Sequence, residues 1–149
     1  MSGGTAVAVA LTAVAGLAGS VQVALMSRFG ERIGVVEALA FSTLLTAVLS
    51  FVVLLVARQS LAGYGDGLRA PAWLWAAGVM GLIVIFSITF ATPRIGATAT
   101  IGLLIAGQLA MGAAIDRFGL FGLEQIPIGW VRLLGIVLLA VGAALSLRR

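Results

Sequence analysis

Five long stretches of this sequence contain no charged residue, and they limit the possible folds more than any other feature. They cover residues 1–27, 38–57, 70–93, 95–115 and 133–147. An α-helix needs roughly 20 apolar residues to cross a hydrocarbon core of about 30 Å, and most of the stretches reach that length. With 62% hydrophobic residues, 9% charged residues and a mean hydropathy of +1.22, the chain cannot present a polar surface to water. The sequence therefore predicts a membrane protein.

Charges and turn-forming residues between these stretches set the limits of the predicted helices. We predict an all-α, polytopic membrane protein with five transmembrane helices, the size of half a transporter. Residues 1–149 are predicted to form one domain. The amino end has no basic segment before its first apolar run, so we do not expect a cleaved signal peptide. The helices are predicted at residues 5–26, 34–57, 72–91, 93–115 and 127–147.

The third and fourth helices are separated by only one short polar segment. A single helix over residues 72–115 would be roughly 65 Å long at 1.5 Å per residue, about twice the thickness of a bilayer. We therefore expect a tight hairpin at Thr92 and Pro93. Thr92 is the predicted cap of the fourth helix, and Pro93 suits its first position because the missing N–H has no partner there.

Missing residue types argue against several kinds of function. The chain has no cysteine and no histidine, so it lacks a thiol, an imidazole base and the usual metal ligands. We see no serine in a nucleophile context, and we expect neither an enzyme nor a metal or cofactor. All basic residues are arginines that stand singly between apolar runs, which is typical of membrane-protein loops rather than of a nucleic-acid-binding surface.

Gln108 is an amide near the middle of an apolar helix, and it is our main candidate for a transport pathway. Substrates of transporters bind near the middle of the membrane. Gln22 of the first helix, beside a stripe of small residues, is a second candidate. Trp75 and Phe86 are predicted to share a face of the third helix and to line the same cavity. The alternative is structural, because interhelical amides stabilise membrane bundles by about 1 kcal/mol and aromatic rings commonly only pack.

Glu37 is the only acid inside a predicted span, which makes it the candidate for proton coupling. It can also complement the positive end of the second helix, or pair with Arg94, which the topology places on the same side of the membrane. Asp116 and Arg132 flank the fourth loop and are predicted to form a salt bridge. We interpret Arg94, Asp116 and Arg132 as structural polar residues.

Several short motifs together resemble a known family. They are PRIG at 93–96, GQ at 107–108, DRFGLFG at 116–122, RLLG at 132–135 and GSVQVALMSRFG at 19–30. The chain resembles the YdcZ-type family of small membrane proteins in the drug/metabolite transporter superfamily over nearly its whole length. The resemblance implies about five helices and the movement of small molecules across the bacterial inner membrane. Its motif positions are Gln22, Arg28, Gly30, Pro93, Arg94, Gly96, Gly107, Gln108, Asp116, Gly119 and Arg132.

Two classes of function remain open. The first is a secondary transporter of small metabolites or drug-like molecules, an exporter coupled to protons or to another ion gradient. The second is a non-transporting membrane subunit that stabilises or regulates a partner protein. Transport predicts flux in liposomes of the pure protein, whereas a partner role predicts no flux and co-purification with a second chain.

We expect the working unit to be a homodimer with its copies in opposite orientations, because one five-helix unit is too small to enclose a substrate site. Such a dimer would reproduce an inverted repeat. The arginine bias of short loops sets orientation, and here it is nearly absent, which favours dual topology. A parallel dimer and a heterodimer with a paralogue are the alternatives. The predicted amino-terminal side carries Arg58, Arg69, Arg117 and Arg132, and the other side carries Arg28, Arg32, Arg94, Arg148 and Arg149.

Overall fold

A computed structural model describes residues 3–147 of the chain, and every regular element among them is helical. This agrees with the predicted all-α membrane protein. Two short 3₁₀ turns, Ala72–Trp75 and Leu120–Gly122, lie between the α-helices. The α-helices are α1 (Gly3–Ile33), α2 (Val35–Arg58), α3 (Ala62–Arg69), α4 (Ala76–Ile95), α5 (Ala97–Phe118) and α6 (Trp130–Ser146).

Four segments among the described residues are long and apolar enough to cross a membrane. They are α1, α2, α4 together with the 3₁₀ turn before it, and α5. The predicted fifth span is shorter than expected, since α6 has only 17 residues. Its predicted start at residue 127 is wrong because the backbone is still extended at Gly129, with φ −80° and ψ 156°.

The contacts divide the chain into two compact units, which we describe separately. One unit is Leu25–Phe90, and the other combines the residues up to Ala24 with those from Ala91 onward. In the second unit α5 packs against α6. A Cβ atom placed on Gly102 would lie 3.1 Å from the Cβ of Ala143, so only small residues fit at this contact.

In the unit Leu25–Phe90, the end of α1 is joined to α2 without a loop. Gly34 is the only residue between the helices, and its φ of 103° and ψ of 149° are accessible in practice only to glycine. The rings of Phe29 and Phe41 pack edge to face with centroids 5.4 Å apart. In one straight helix these residues would be about 18 Å apart, so the chain bends sharply at Gly34.

The break between α4 and α5 lies at Gly96, and the prediction that placed it at Thr92 and Pro93 is wrong. Pro93 lies inside α4, which continues to Ile95, and Thr92 therefore caps no helix. Proline removes one hydrogen bond near the end of a helix, and membrane helices tolerate that loss. Gly96, with φ 84° and ψ 158°, ends the helix because its backbone leaves the helical region altogether.

Both breaks are built on the same tripeptide, Arg-Ile-Gly, at residues 32–34 and 94–96. At each break the glycine N–H donates to the carbonyl four residues earlier, and the glycine carbonyl accepts from the N–H four residues later. Around the two breaks the buried positions also repeat at the same spacing of 62 residues. The buried pairs are Met26 and Ile88, Ser27 and Thr89, Gly30 and Thr92, and Ala38 and Thr100.

Candidate functional site

The two candidate pathway amides lie on the surface of long apolar helices. Gln108 is near the middle of α5, and Gln22 is on α1, and both side chains are exposed. Neither amide has a hydrogen-bond partner within residues 3–147. Each carries a carbonyl acceptor and two N–H donors, so both remain available to a substrate or to another chain.

Most hydroxyl side chains on the same helices are used internally. Thr12 and Ser20 of α1 donate to the carbonyls of Ala8 and Gly16, at 2.8 and 3.1 Å. Thr100 of α5 donates in the same way to Gly96, at 2.8 Å. Each of these hydroxyls has used its only donor and can offer a further ligand only acceptor lone pairs. The amides are therefore the polar groups of these helices best able to bind something else.

Glu37 lies in the first turn of α2, where its carboxylate folds back over Gly34. A Cβ atom at Gly34 would overlap this carboxylate, so the glycine provides the space in which it lies. A carboxylate at this position complements the positive end of the helix, as the structural interpretation expects. The side chain is also exposed. Its pairing with Arg94 stays a prediction.

Trp75 and Phe86 belong to different local environments in the first unit. Trp75 lies in the 3₁₀ turn before α4, and its indole N–H donates to the carbonyl of Gly67 in α3, at 3.2 Å. Phe86 stacks on Phe90, one turn further along α4, with ring centroids 5.9 Å apart. The prediction placed Trp75 and Phe86 on one face of the same α-helix. Trp75 lies outside that helix, because α4 begins at Ala76 and the 3₁₀ turn before it has a different period.

Asp116 and Arg132 form the predicted salt bridge, which joins the end of α5 to the first turn of α6. The carbonyl of Asp116 also accepts a hydrogen bond from the N–H of Ile126, at 2.8 Å. Gln125 donates to the carbonyl of Phe118, at 3.3 Å. These contacts close the connection between the two helices. The predicted salt bridge is therefore present, and the purely structural role of Asp116 and Arg132 stays a prediction. Arg94, in the last turn of α4, is engaged in an interaction of its own.

Thr92 is a buried polar residue that sequence reasoning misassigned. Its side-chain oxygen is buried and has no hydrogen-bond partner among the described residues, whereas Thr89 donates to the carbonyl of Ile85 at 2.7 Å. The N–H that would have bonded the carbonyl of Thr89 is absent, because the residue four positions later is Pro93. The signal in the sequence was a threonine before a proline, which we interpreted as a cap.

Comparison with known proteins adds to this geometry. A family model described as "Putative inner membrane exporter, YdcZ" matches residues 7–145. A curated relative, "Inner membrane protein YdcZ" of Escherichia coli (strain K12), is 30% identical over 137 residues. That match covers 91% of this chain and 91% of the relative. No solved structure matches the chain.

Proposed function

Because the chain belongs to the YdcZ family and is an inner-membrane protein, we propose that it is a secondary transporter that exports small molecules. The cargo would be small metabolites or drug-like molecules. The observation that supports this best is the pair of exposed amides, Gln22 and Gln108, each on a span without an internal partner. Burying an unpaired amide in lipid is unfavourable, so a pathway or a second chain must hydrate or bind it.

The proposed unit has five transmembrane helices, of which α6 is the fifth. Its 17 residues span about 26 Å, a little less than the hydrocarbon core. A short span is accommodated by local thinning of the bilayer and by flanking residues that reach the interface. Arg132 lies in the first turn of α6, and its side chain can reach the membrane interface. That side chain is already directed away from α6, to Asp116 at the end of α5.

The residues proposed to line the substrate pathway are Gln22, Glu37, Trp75, Phe86 and Gln108. Amides supply both donors and acceptors, while the aromatic rings supply an apolar wall, a combination that suits small organic molecules with one polar end. Glu37 is proposed to couple export to protons. Its carboxylate is exposed and lies at the start of α2, where protonation would change its interaction with the helix end.

The proposed working form is a dimer of these units, with the two copies antiparallel. The large exposed aliphatic surface of the helices leaves ample area both for lipid and for a second copy. The balance of arginines between the two predicted sides supports insertion in both orientations. Two of the arginines in that balance, Arg148 and Arg149, lie outside the described residues.

Flux measurements on the pure protein in liposomes test this proposal. The protein should move at least one member of a panel of cations, amines and aromatic metabolites, and an imposed pH gradient should drive that flux. Empty liposomes are the control. Absence of flux over the whole panel, together with co-purification of a second protein, would support the regulatory-subunit function instead.

A further inference from the structure

The short helix α3 contains three glycines in eight residues, Gly63, Gly65 and Gly67. Each glycine in a helix costs about 1 kcal/mol relative to alanine, so α3 is a weak helix by composition. Space does not demand these glycines, because a Cβ at any of the three would meet no atom within 4 Å. Two of the three glycines, Gly63 and Gly67, border an open cleft, and this cleft explains why they carry no side chain.

The residues of α3 divide into two faces by helical geometry. At 100° per residue, Gly63, Gly67, Tyr64 and Leu68 fall within one sector of about 140°. Gly65, Asp66 and Arg69 fall on the opposite side. The first sector is apolar or lacks side chains, and the second is charged, so α3 is amphipathic in the manner of a helix that lies in a membrane interface.

The first sector of α3 borders a cleft of about 420 Å³, which we call the α3 cleft. It is lined by Gly63, Tyr64, Gly67, Leu68 and Trp75. The hydrogen bond from the indole of Trp75 to the Gly67 carbonyl fixes one wall. Tyr64 packs edge to face on Phe51 of α2, with centroids 5.2 Å apart, and fixes another. Gly63 and Gly67 have no side chains, so the space between these walls stays open.

A second groove lies along α2 and adjoins the α3 cleft at Tyr64, which lines both. It measures about 340 Å³, shares Tyr64 with the α3 cleft, and is lined by Ala47, Val48, Phe51 and Val52. Ala47 is 11 residues before Arg58, at the charged end of α2, which corresponds to about 16 Å along the helix axis. The apolar lining therefore extends from Trp75 and Tyr64 to Ala47, toward the middle of the membrane.

The segment that contains the α3 cleft carries more positive than negative charge. Arg58 ends α2 and Arg69 ends α3, and both are exposed. Neither forms a salt bridge within residues 3–147. Asp66 is the only acid in this connection. Each arginine near the surface attracts anionic lipid with an energy equivalent to about a fivefold change in affinity.

We propose that the α3 cleft and the adjoining groove along α2 bind an anionic phospholipid. One acyl chain lies against Tyr64, Leu68 and Trp75 and continues along α2, while the phosphate lies near Arg58 and Arg69. The dimensions, the apolar lining and the direction into the membrane match an acyl chain. The flanking arginines select an anionic headgroup.

Quenching of tryptophan fluorescence by brominated lipid tests this proposal. We would use the full chain with Trp73→Phe and Trp130→Phe, so that Trp75 is the only tryptophan. In phosphatidylcholine nanodiscs, brominated phosphatidylglycerol is added at increasing mole fraction. Quenching should reach half its maximum at a mole fraction at least about fivefold below that for brominated phosphatidylcholine.

Two glycine variants provide a matched comparison. Gly63→Leu places a side chain in the α3 cleft and should shift the phosphatidylglycerol curve to that of phosphatidylcholine. Gly65→Leu adds the same side chain on the opposite face and should leave the curve unchanged. Both exchange glycine for a good helix former, so neither should weaken α3.

Identical curves for Gly63→Leu and Gly65→Leu would overturn the proposal, and so would equal quenching by the two lipids in the parent protein. If Gly63→Leu does not fold, Arg58→Gln with Arg69→Gln replaces it. This pair leaves the cleft intact and should remove the preference for phosphatidylglycerol. An unchanged preference in that variant would also overturn the proposal.

Discussion

Gly34 and Gly96 adopt nearly the same backbone conformation, with φ and ψ of 103° and 149° in one and 84° and 158° in the other. Each follows Arg-Ile and separates two helices without any loop. Side chains with a Cβ are strained in this region of backbone space by about 1–3 kcal/mol. The two glycines therefore fix where the membrane helices break.

Replacing either glycine by alanine should destabilise the protein. We expect Gly34→Ala and Gly96→Ala each to lower the free energy of unfolding by about 1–3 kcal/mol, because alanine strains the backbone there. Unfolding of the purified protein in detergent, followed by loss of helical signal, measures the change. Gly78→Ala, inside α4 with open space around it, is the control and should be neutral or stabilising. Wild-type stability of Gly96→Ala would contradict the account.

The salt bridge between Asp116 and Arg132 should contribute measurably to stability, because Asp116 is only partly exposed. We expect a double-mutant cycle with Asp116→Asn and Arg132→Gln to give a coupling energy of about 1 kcal/mol. The same cycle at Arg28 and Glu31, a more exposed pair 3.2 Å apart, should give less. A coupling energy near zero for Asp116 and Arg132 would show that the bridge does not hold α6 to α5.

Much of the fold follows from the distribution of charge, because a charged residue in lipid is costly wherever it lies. The same reasoning correctly paired Asp116 with Arg132. The reasoning from sequence failed to place the break between α4 and α5, which backbone conformation decides. A proline is visible in the sequence as a helix breaker, whereas Gly96 looks like any other glycine in a membrane helix. The reasoning also missed α3 and its cleft, because three glycines in eight residues indicate a loop by propensity and only packing against Phe51 and Trp75 orders them. The pathway residues could be proposed from their polarity and position, and their joint role stays a prediction.

Glu37 should be required for coupling but not for folding. We expect Glu37→Gln to keep its assembly state and to lose the dependence of flux on an imposed pH gradient, because glutamine cannot release a proton. Glu31→Gln is the control, since Glu31 is an exposed acid that pairs with Arg28. Full pH-driven flux in Glu37→Gln would show that Glu37 has only a structural role, at the start of α2.

The chain should insert into the membrane in both orientations. A cysteine introduced at position 2 or 149, which lie outside the described residues, should react with an impermeant maleimide from each side of the membrane. The chain has no native cysteine, so no background labelling is expected. Adding two lysines to one loop should bias labelling to one side. Exclusive labelling of the unmodified chain from one side would contradict dual topology.

The most direct test of the transport account is the flux of Gln108→Leu in liposomes, compared with the wild type and with Gln108→Asn. If Gln108 binds cargo in the pathway, loss of the amide should reduce flux by about tenfold or more, because the polar group of the substrate is left unpaired. Gln108→Asn keeps an amide and should retain part of the flux, and all three proteins should elute as the same assembly. Flux of Gln108→Leu equal to that of the wild type would contradict the assignment of Gln108 to the pathway.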